Sequence, residues 1–213
     1  MAESPPRSDR QLYVLWPDGL RPPDVSVPDE YALRTSRLED HDREAVAALL
    51  DSHRDTAGGE HVDALRGYVL PKGWFVAVER ATNAIVGTAA AIHDPRDEVG
   101  IWPASQSPTD TNHYFPFGGA VASLFVAPEH RREGLGGALS AAATRRLLDA
   151  SYDSVRVSVA PENRGALALF LQAGFAPGLL TSGDVGRWRD VFDVLGVPFD
   201  AERCVRVSVA PES

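Results

Sequence analysis

LFVAPEHRREGLGGAL, from Leu124 to Leu139, is the stretch that decides how this chain is read. Leu124 to Val126 form an apolar strand that stops at a turn built on Pro128. Arg131-x-x-Gly134-x-Gly136-Gly137 follows, and then a helical pattern through Leu135, Ala138, Leu139, Ala142 and Leu147, ending near Ser151. Glycine accepts positive φ and lets a ligand come close to the backbone. The first amides of a helix have no intrahelical partner, and with the helix dipole they form an anion site. Arg131 and Arg132 add charge, and a guanidinium can grip phosphate through two parallel hydrogen bonds. The segment reads as a strand leading into a diphosphate cradle. It is neither a Walker loop, which needs Gly-Lys-Ser/Thr, nor a GxGxxG turn.

Elements alternate on both sides of this segment. Tyr31–Arg37 alternates like a strand, and Ser36-x-x-Glu39 is a capping-box candidate for a helix carrying Ala45, Val46, Leu49 and Leu50 on one face. Val62, Leu65 and Val69 suggest a second short helix. Trp74–Glu79 and Ile85–His93 read as strands of a hairpin, and Ala120–Val126 as the strand that enters the cradle. Strands are expected at Ser154–Ala160, Phe175–Thr181 and Cys204–Val209, with helices at Ala166–Ala173 and Asp184–Leu195. Gly196 and Pro198 stop the last helix. Residues 95–119 form a loop long enough to suggest a function of its own. The octapeptide VRVSVAPE occurs twice, at Val155–Glu162 and Val205–Glu212, and both copies read as strands.

The chain has 213 residues, of which 44% are apolar, enough for a real core. No apolar run approaches the ~20 residues of a membrane span, and the polar start is unlike a signal peptide, so the expected compartment is the cytoplasm. Residues 1–30 read as a tail and proline-bearing arm, and 31–213 as the domain. Within the arm, Leu12–Trp16 is an apolar run that would add a strand to its own sheet or to a partner's, the latter giving a homodimer. A single cysteine, Cys204, excludes a disulfide framework and a Cys-rich zinc site, and no metal is expected. The net charge of −9 argues against a nucleic-acid surface; it serves solubility or favours cationic substrates.

The cradle segment resembles the acetyl-CoA signature of the GNAT superfamily of N-acetyltransferases, (Arg/Gln)-x-x-Gly-x-(Gly/Ala). A second block, Asn163-x-x-Ala166-x-x-Leu169-Phe170-x-x-x-Gly174-Phe175, is similar to the family's next strand–helix unit. The resemblance implies a mixed, mostly antiparallel α/β sheet with helices on both faces. It implies transfer of an acetyl group from acetyl-CoA to a small-molecule or peptide amine, directly and without an acyl-enzyme. Leu124, Phe125 and Val126 would then offer backbone groups to the pantetheine arm. Arg131, Arg132, Glu133, Gly134, Leu135, Gly136 and Gly137 would hold the pyrophosphate. A backbone amide of Leu124 or Phe125 would polarise the acyl carbonyl, and the strand would splay from Ser154–Ala160 to admit the arm. Asn163 would contact the CoA arm while able to cap its helix, and Phe170 joins the CoA-binding set through the same block.

Three acid–base positions customary in the family are empty. Phe170 stands where many members carry a tyrosine, Ser158 where some carry a glutamate, and Ala120–Ser123 holds no titratable group. An amine attacks a thioester only when neutral. A lysine amine is neutral in roughly one part in 2,500 at pH 7, an α-amino group in about one in seven. The empty positions therefore favour a weakly basic amine, or a base from elsewhere. His113 and Tyr114 in the long loop are the candidates, with His93 and Glu79 as further options. Loop aromatics Trp102, Tyr114, Phe115 and Phe117 either line an acceptor pocket or pin the loop. Glu129 and His130 lie toward the phosphates, while His41, His53 and His61 read as solvated helix faces. Two other readings stay open: a non-catalytic acyl-CoA sensor, and an interaction protein that has lost CoA.

Overall fold

Val76 and Val78 face one way along a strand and Ala77 the other, and both sides are buried. That alternation organises the first of two compact units in the chain, residues 21–94 with 119–155. The computed structural model describes residues 11–51, 58–93, 118–181 and 183–206. In the first unit lie β2 (Tyr31–Ser36), α1 (Asp40–Asp51), α2 (Gly58–Arg66), β3 (Val69–Glu79), β4 (Ile85–His93), β5 (Gly118–Val126) and α3 (Leu135–Asp149). The strands pair antiparallel in the order β2-β3-β4-β5.

Each face of this sheet has its own cover. Val46, Leu50, Val62 and Leu65 from α1 and α2 pack with Trp74, Val76, Val78, Ala90, Ile92 and Ala120. The opposite parity belongs to α3. Gly87 lies so close to it that a Cβ there would stand 2.9 Å from Leu139 Cδ1, so the absence of a side chain lets α3 seat on β4. Leu135, Leu139 and Leu147 are fully buried by this contact, each worth roughly 1.5–3 kcal/mol.

The second unit, residues 1–20, 95–118 and 156–213, holds β1 (Leu12–Leu15), most of β6 (Ser154–Val159), α4 (Arg164–Gln172), β7 (Ala176–Leu179), α5 (Asp184–Leu195) and β8 (Val205–Arg206). β1 is antiparallel to both β6 and β7, and β8 runs parallel to β7. The apolar run inside the expected N-terminal arm is thus a strand of its own chain, paired along its length with β6 and at Val14 and Leu15 with β7. Asp184 is 5% exposed and accepts from the amides of Leu180 (2.9 Å) and Thr181 (2.8 Å), and from Arg187 Nη1 (3.1 Å). Arg187 Nη2 in turn donates to the Gln11 carbonyl at 3.2 Å. This buried carboxylate joins the end of β7, the start of α5 and the entry to β1. Gly196, in the left-handed region, closes α5 as expected.

The class read from the sequence, mixed α/β with mostly antiparallel pairing, is the class observed. Two local readings are corrected. Ser36 does not cap α1, because Leu38 turns the chain at φ 51 and the helix starts only at Asp40. Instead Ser36 Oγ accepts from the Leu38 amide (2.9 Å) and donates to Asp42 Oδ2 (2.8 Å). Val69 belongs to β3 rather than to α2: it pairs with Ile92, before an irregularity at Lys72 (φ 58) and Gly73 that resets the register.

The Ser36–Asp42 contact extends to Arg34, whose Nη1 and Nη2 donate to Asp42 at 2.7 and 2.8 Å. That bidentate guanidinium holds the Asp42 carboxyl down at about 2, against the pull of partial burial. A carboxylate whose folded pKa lies below its unfolded value adds stability above the unfolded value and loses it as pH falls. Arg34 is half exposed, so screening keeps the contribution near ~0.5–1 kcal/mol. Asp42→Asn is expected to lower the unfolding free energy from urea titration at pH 7 by that amount, with the gap to wild type narrowing from about pH 4 toward pH 2. A gap that does not change with pH would show that the charge is irrelevant.

Candidate functional site

The β5–α3 connection takes the form expected of an anion cradle. Ala127 leaves the sheet with its amide still bonded to the Val86 carbonyl at 2.9 Å. A short 3-10 turn at Pro128–His130 follows. Two residues then take positive φ, Arg132 at 74° and Gly134 at 81°. Gly134 is the N-cap of α3, and the first intrahelical bond runs from the Ala138 amide to its carbonyl at 3.1 Å. The amides of Leu135, Gly136 and Gly137 therefore precede the ladder. A Cβ placed on Gly134 or Gly137 would meet nothing within 4 Å, so the face they present is open.

The side chains around the turn have separate tasks. Arg131 Nε donates to the Val126 carbonyl at 2.9 Å, and its guanidinium lies 5.4 Å from the centre of the Phe125 ring. Arg131 thus braces the strand end on which the turn is built. Arg132 and Glu133 are exposed beside Gly134. His130 Nδ1 lies 3.0 Å from Tyr31 Oη, which ties the turn to β2. Burial, then the carboxylates of Glu133, Glu79 and Glu30, raise the Tyr31 phenol above its ordinary range, so it stays protonated. Leu124, Phe125 and Val126 are half-buried at the end of β5.

Just before them the strand bulges. Thr88 pairs with Phe125 and Ala90 with Ala122, so Ala89 alone opposes Ser123 and Leu124. Ser123 takes φ 50, and a bulge of this kind leaves one residue out of the ladder. His61 of α2 reaches this point, with Nε2 2.8 Å from Ser123 Oγ. The solvated helix face expected for His61 is therefore corrected: the residue is half-buried against β5. Sequence reasoning missed the pair because the two residues lie 62 positions apart. The one available signal was Ser123 itself, a hydroxyl in the otherwise apolar strand GGAVASLFV.

The remaining expectations fall elsewhere. Asn163 caps α4, with Oδ1 accepting from the Ala166 amide at 3.1 Å. Phe170 is 2% exposed and packs edge-on against Phe175 at 5.3 Å. His93 ends β4 with Nδ1 3.3 Å from Tyr152 Oη. Glu79 accepts from Thr82 in the β3–β4 hairpin. His113, Tyr114 and the loop aromatics lie outside the described residues, as do His53 and most of the second VRVSVAPE copy.

A strand, a positive-φ turn and a helix that opens on glycines define the α/β frame of this unit. A model of the acetyltransferase (GNAT) family matches residues 33–175, and the chain belongs to that family of transferases. No curated protein matches. Among solved structures, a GCN5-related N-acetyltransferase from Sphaerobacter thermophilus is 21% identical, with a TM-score of 0.56 over 78% of this chain and 48% of its own. The tandem GNAT protein from the clavulanic acid biosynthesis pathway is 19% identical, with a TM-score of 0.52 over 78% of this chain and 50% of its own. A chain of the NatC complex, solved bound to Gag peptide and CoA, is 17% identical, with a TM-score of 0.52 over 67% of this chain and 82% of its own. These identities carry the fold alone, and the chain spans about half the length of the first two.

The cradle's glycines make opposite demands. An L-residue in the left-handed region costs about 1–2 kcal/mol, so Gly134→Ala is expected to lower the melting midpoint by roughly 2–8 °C. Gly137 is helical, and alanine there should gain up to about 1 kcal/mol and raise the midpoint. Differential scanning calorimetry of the two variants checks this. Shifts of the same sign would mean that the turn does not have the backbone described.

Proposed function

We propose that this chain moves an acetyl group from acetyl-CoA to a primary amine by direct transfer. The observation that carries the reading is the open cradle: positive φ at Arg132 and Gly134, with no atom facing Gly134 or Gly137 within 4 Å. The amides from Arg132 to Gly137 would hold the pyrophosphate, and Arg132 would supply the nearest exposed cation. The backbone of Leu124, Phe125 and Val126 would take the pantetheine arm as an added strand. The bulge supports a further part of the reading. It sets Ser123 and Leu124 together opposite Ala89, and in this reading the amide of Leu124 or Phe125 would polarise the acyl carbonyl.

The acceptor follows from the acid–base chemistry. With no acid or base on β5 itself, a weakly basic amine such as an α-amino group is the acceptor class this reading favours. Catalysis then rests on positioning and on carbonyl polarisation. The place of action would be the cytoplasm; no helix among the described residues is long and apolar enough to cross a membrane.

Thermal unfolding with and without acetyl-CoA tests the cradle. At ~100 times the dissociation constant, binding adds ~2.7 kcal/mol, or about 5–10 °C for a chain of this size. Gly134→Glu, compared with its own ligand-free baseline, should lose that shift, because it sets a carboxylate against the phosphates. No shift in wild type at millimolar acetyl-CoA would overturn the reading.

A further inference from the structure

The contact between His61 and Ser123 has no part in holding CoA. His61 stands near the start of α2, and its Nε2 reaches 2.8 Å from a hydroxyl on the residue that opens the bulge. Leu124 and Phe125, whose amides face the acyl carbonyl in the reading above, are the next two residues. Residues along a strand rise by ~3.3 Å each, so Ser123 stands only one and two steps along the strand from Leu124 and Phe125.

Nothing else described stands so near. β5 carries no titratable side chain. On β4, opposite the bulge, the one polar side chain is Thr88, whose hydroxyl accepts from Trp74 Nε1 at 2.7 Å. His93 lies four residues beyond Ala89, or ~13 Å along the strand. Several charged groups of the helices that pack here have other partners. Arg43 of α1 binds Asp63 of α2, and Asp51 of α1 accepts from the Gly58 amide that opens α2. Glu60 and Arg66 complete the charges of α2.

Resting on the acyl-transfer reading, we propose that Ser123 and His61 form a proton relay for the acceptor amine. Ser123 Oγ takes a proton from the ammonium group while its own proton passes to His61 Nε2. The neutral nitrogen then forms a bond to the acyl carbon. The carbon–sulfur bond breaks, and its electron pair leaves on the CoA sulfur. The second nitrogen proton goes to that thiolate, and His61 returns the first to solvent. The relay supplies the proton acceptor that β5 lacks.

The test uses the full chain, acetyl-CoA and a panel of primary amines spanning α-amino to lysine-like basicity. His61→Gln keeps a hydrogen-bonding group beside Ser123, and Ser123→Ala removes the hydroxyl. Both are expected to keep the wild-type melting shift with acetyl-CoA. Both should lose ~100-fold or more in kcat/KM. The inflection that histidine titration imposes on the wild-type pH profile should disappear, leaving a rate that tracks amine deprotonation alone. His61→Ala should be partly rescued by added imidazole. Wild-type rates and an unchanged pH profile in His61→Gln would overturn the relay and leave acetyl transfer standing. Loss of the acetyl-CoA shift in the variants in step with their activity would also overturn it, by making the pair structural. Absence of the shift in wild type, or a shift without turnover of any amine, would remove acyl transfer and the relay together.

Discussion

The amides that open α3 have no partner within their own helix, and the turn that delivers them shapes much of the first unit. A strand can deliver them only by turning sharply, and the turn puts Arg132 and Gly134 in the left-handed region. A non-glycine residue there costs of order 1–3 kcal/mol and persists only if its surroundings hold it. The holding is visible on both sides. Arg131 Nε grips the Val126 carbonyl before the turn, and Leu135, Leu139 and Leu147 are buried after it. The bareness of Gly87 then lets α3 settle onto β4. Burial of three leucines, at roughly 1.5–3 kcal/mol each, exceeds the cost of the turn.

A second departure from regular backbone sits on the same strand. Ser123 and the cradle turn are separated by fewer than ten residues, and the regular stretch between them is Phe125 and Val126. The bulge exposes backbone at one end of that stretch and the turn exposes amides at the other. An extended ligand laid along it would meet hydrogen-bonding groups at both ends, with the pleat of the strand between. The bulge also brings the Ser123 hydroxyl to α2, which otherwise packs its apolar side onto the core.

The sequence showed most of the elements because their signals are local. The hairpin of β3 and β4, the helix of Asp184–Leu195 with its glycine stop, and the glycine turn before α3 each depend on residues within about a dozen positions. The Ser36 capping box failed for an equally local reason, hidden in one backbone angle: the turn at Leu38 delays the helix past the reach of Ser36. The partners of β1 were out of reach because its neighbours, β6 and β7, lie more than 140 positions away. His61 was illegible for the same cause. A histidine on a polar-looking helix turn carries no mark of what lies 62 residues on. Backbone turns built from consecutive residues could be read, and side-chain pairs assembled by tertiary contact could not.

The empty acid–base position on β5 therefore bears on one strand, not on the site as a whole. Counting titratable groups along β5 gives none, yet the face of the sheet that includes Ser123 is covered by a helix with its own side chains. The magnitudes show what hangs on this. Passing from a lysine-like amine to an α-amino group raises the neutral fraction by about 350-fold at pH 7. A positioned base contributes ~100–10,000-fold. The two remedies are of similar size, so a weakly basic acceptor and a proton relay answer the same deficit. A chain with neither would be confined to binding its acyl donor. A chain in which His61 accepts the proton is freed from the restriction to weakly basic amines, and acceptor choice then passes to the shape and charge of the surface around the bulge.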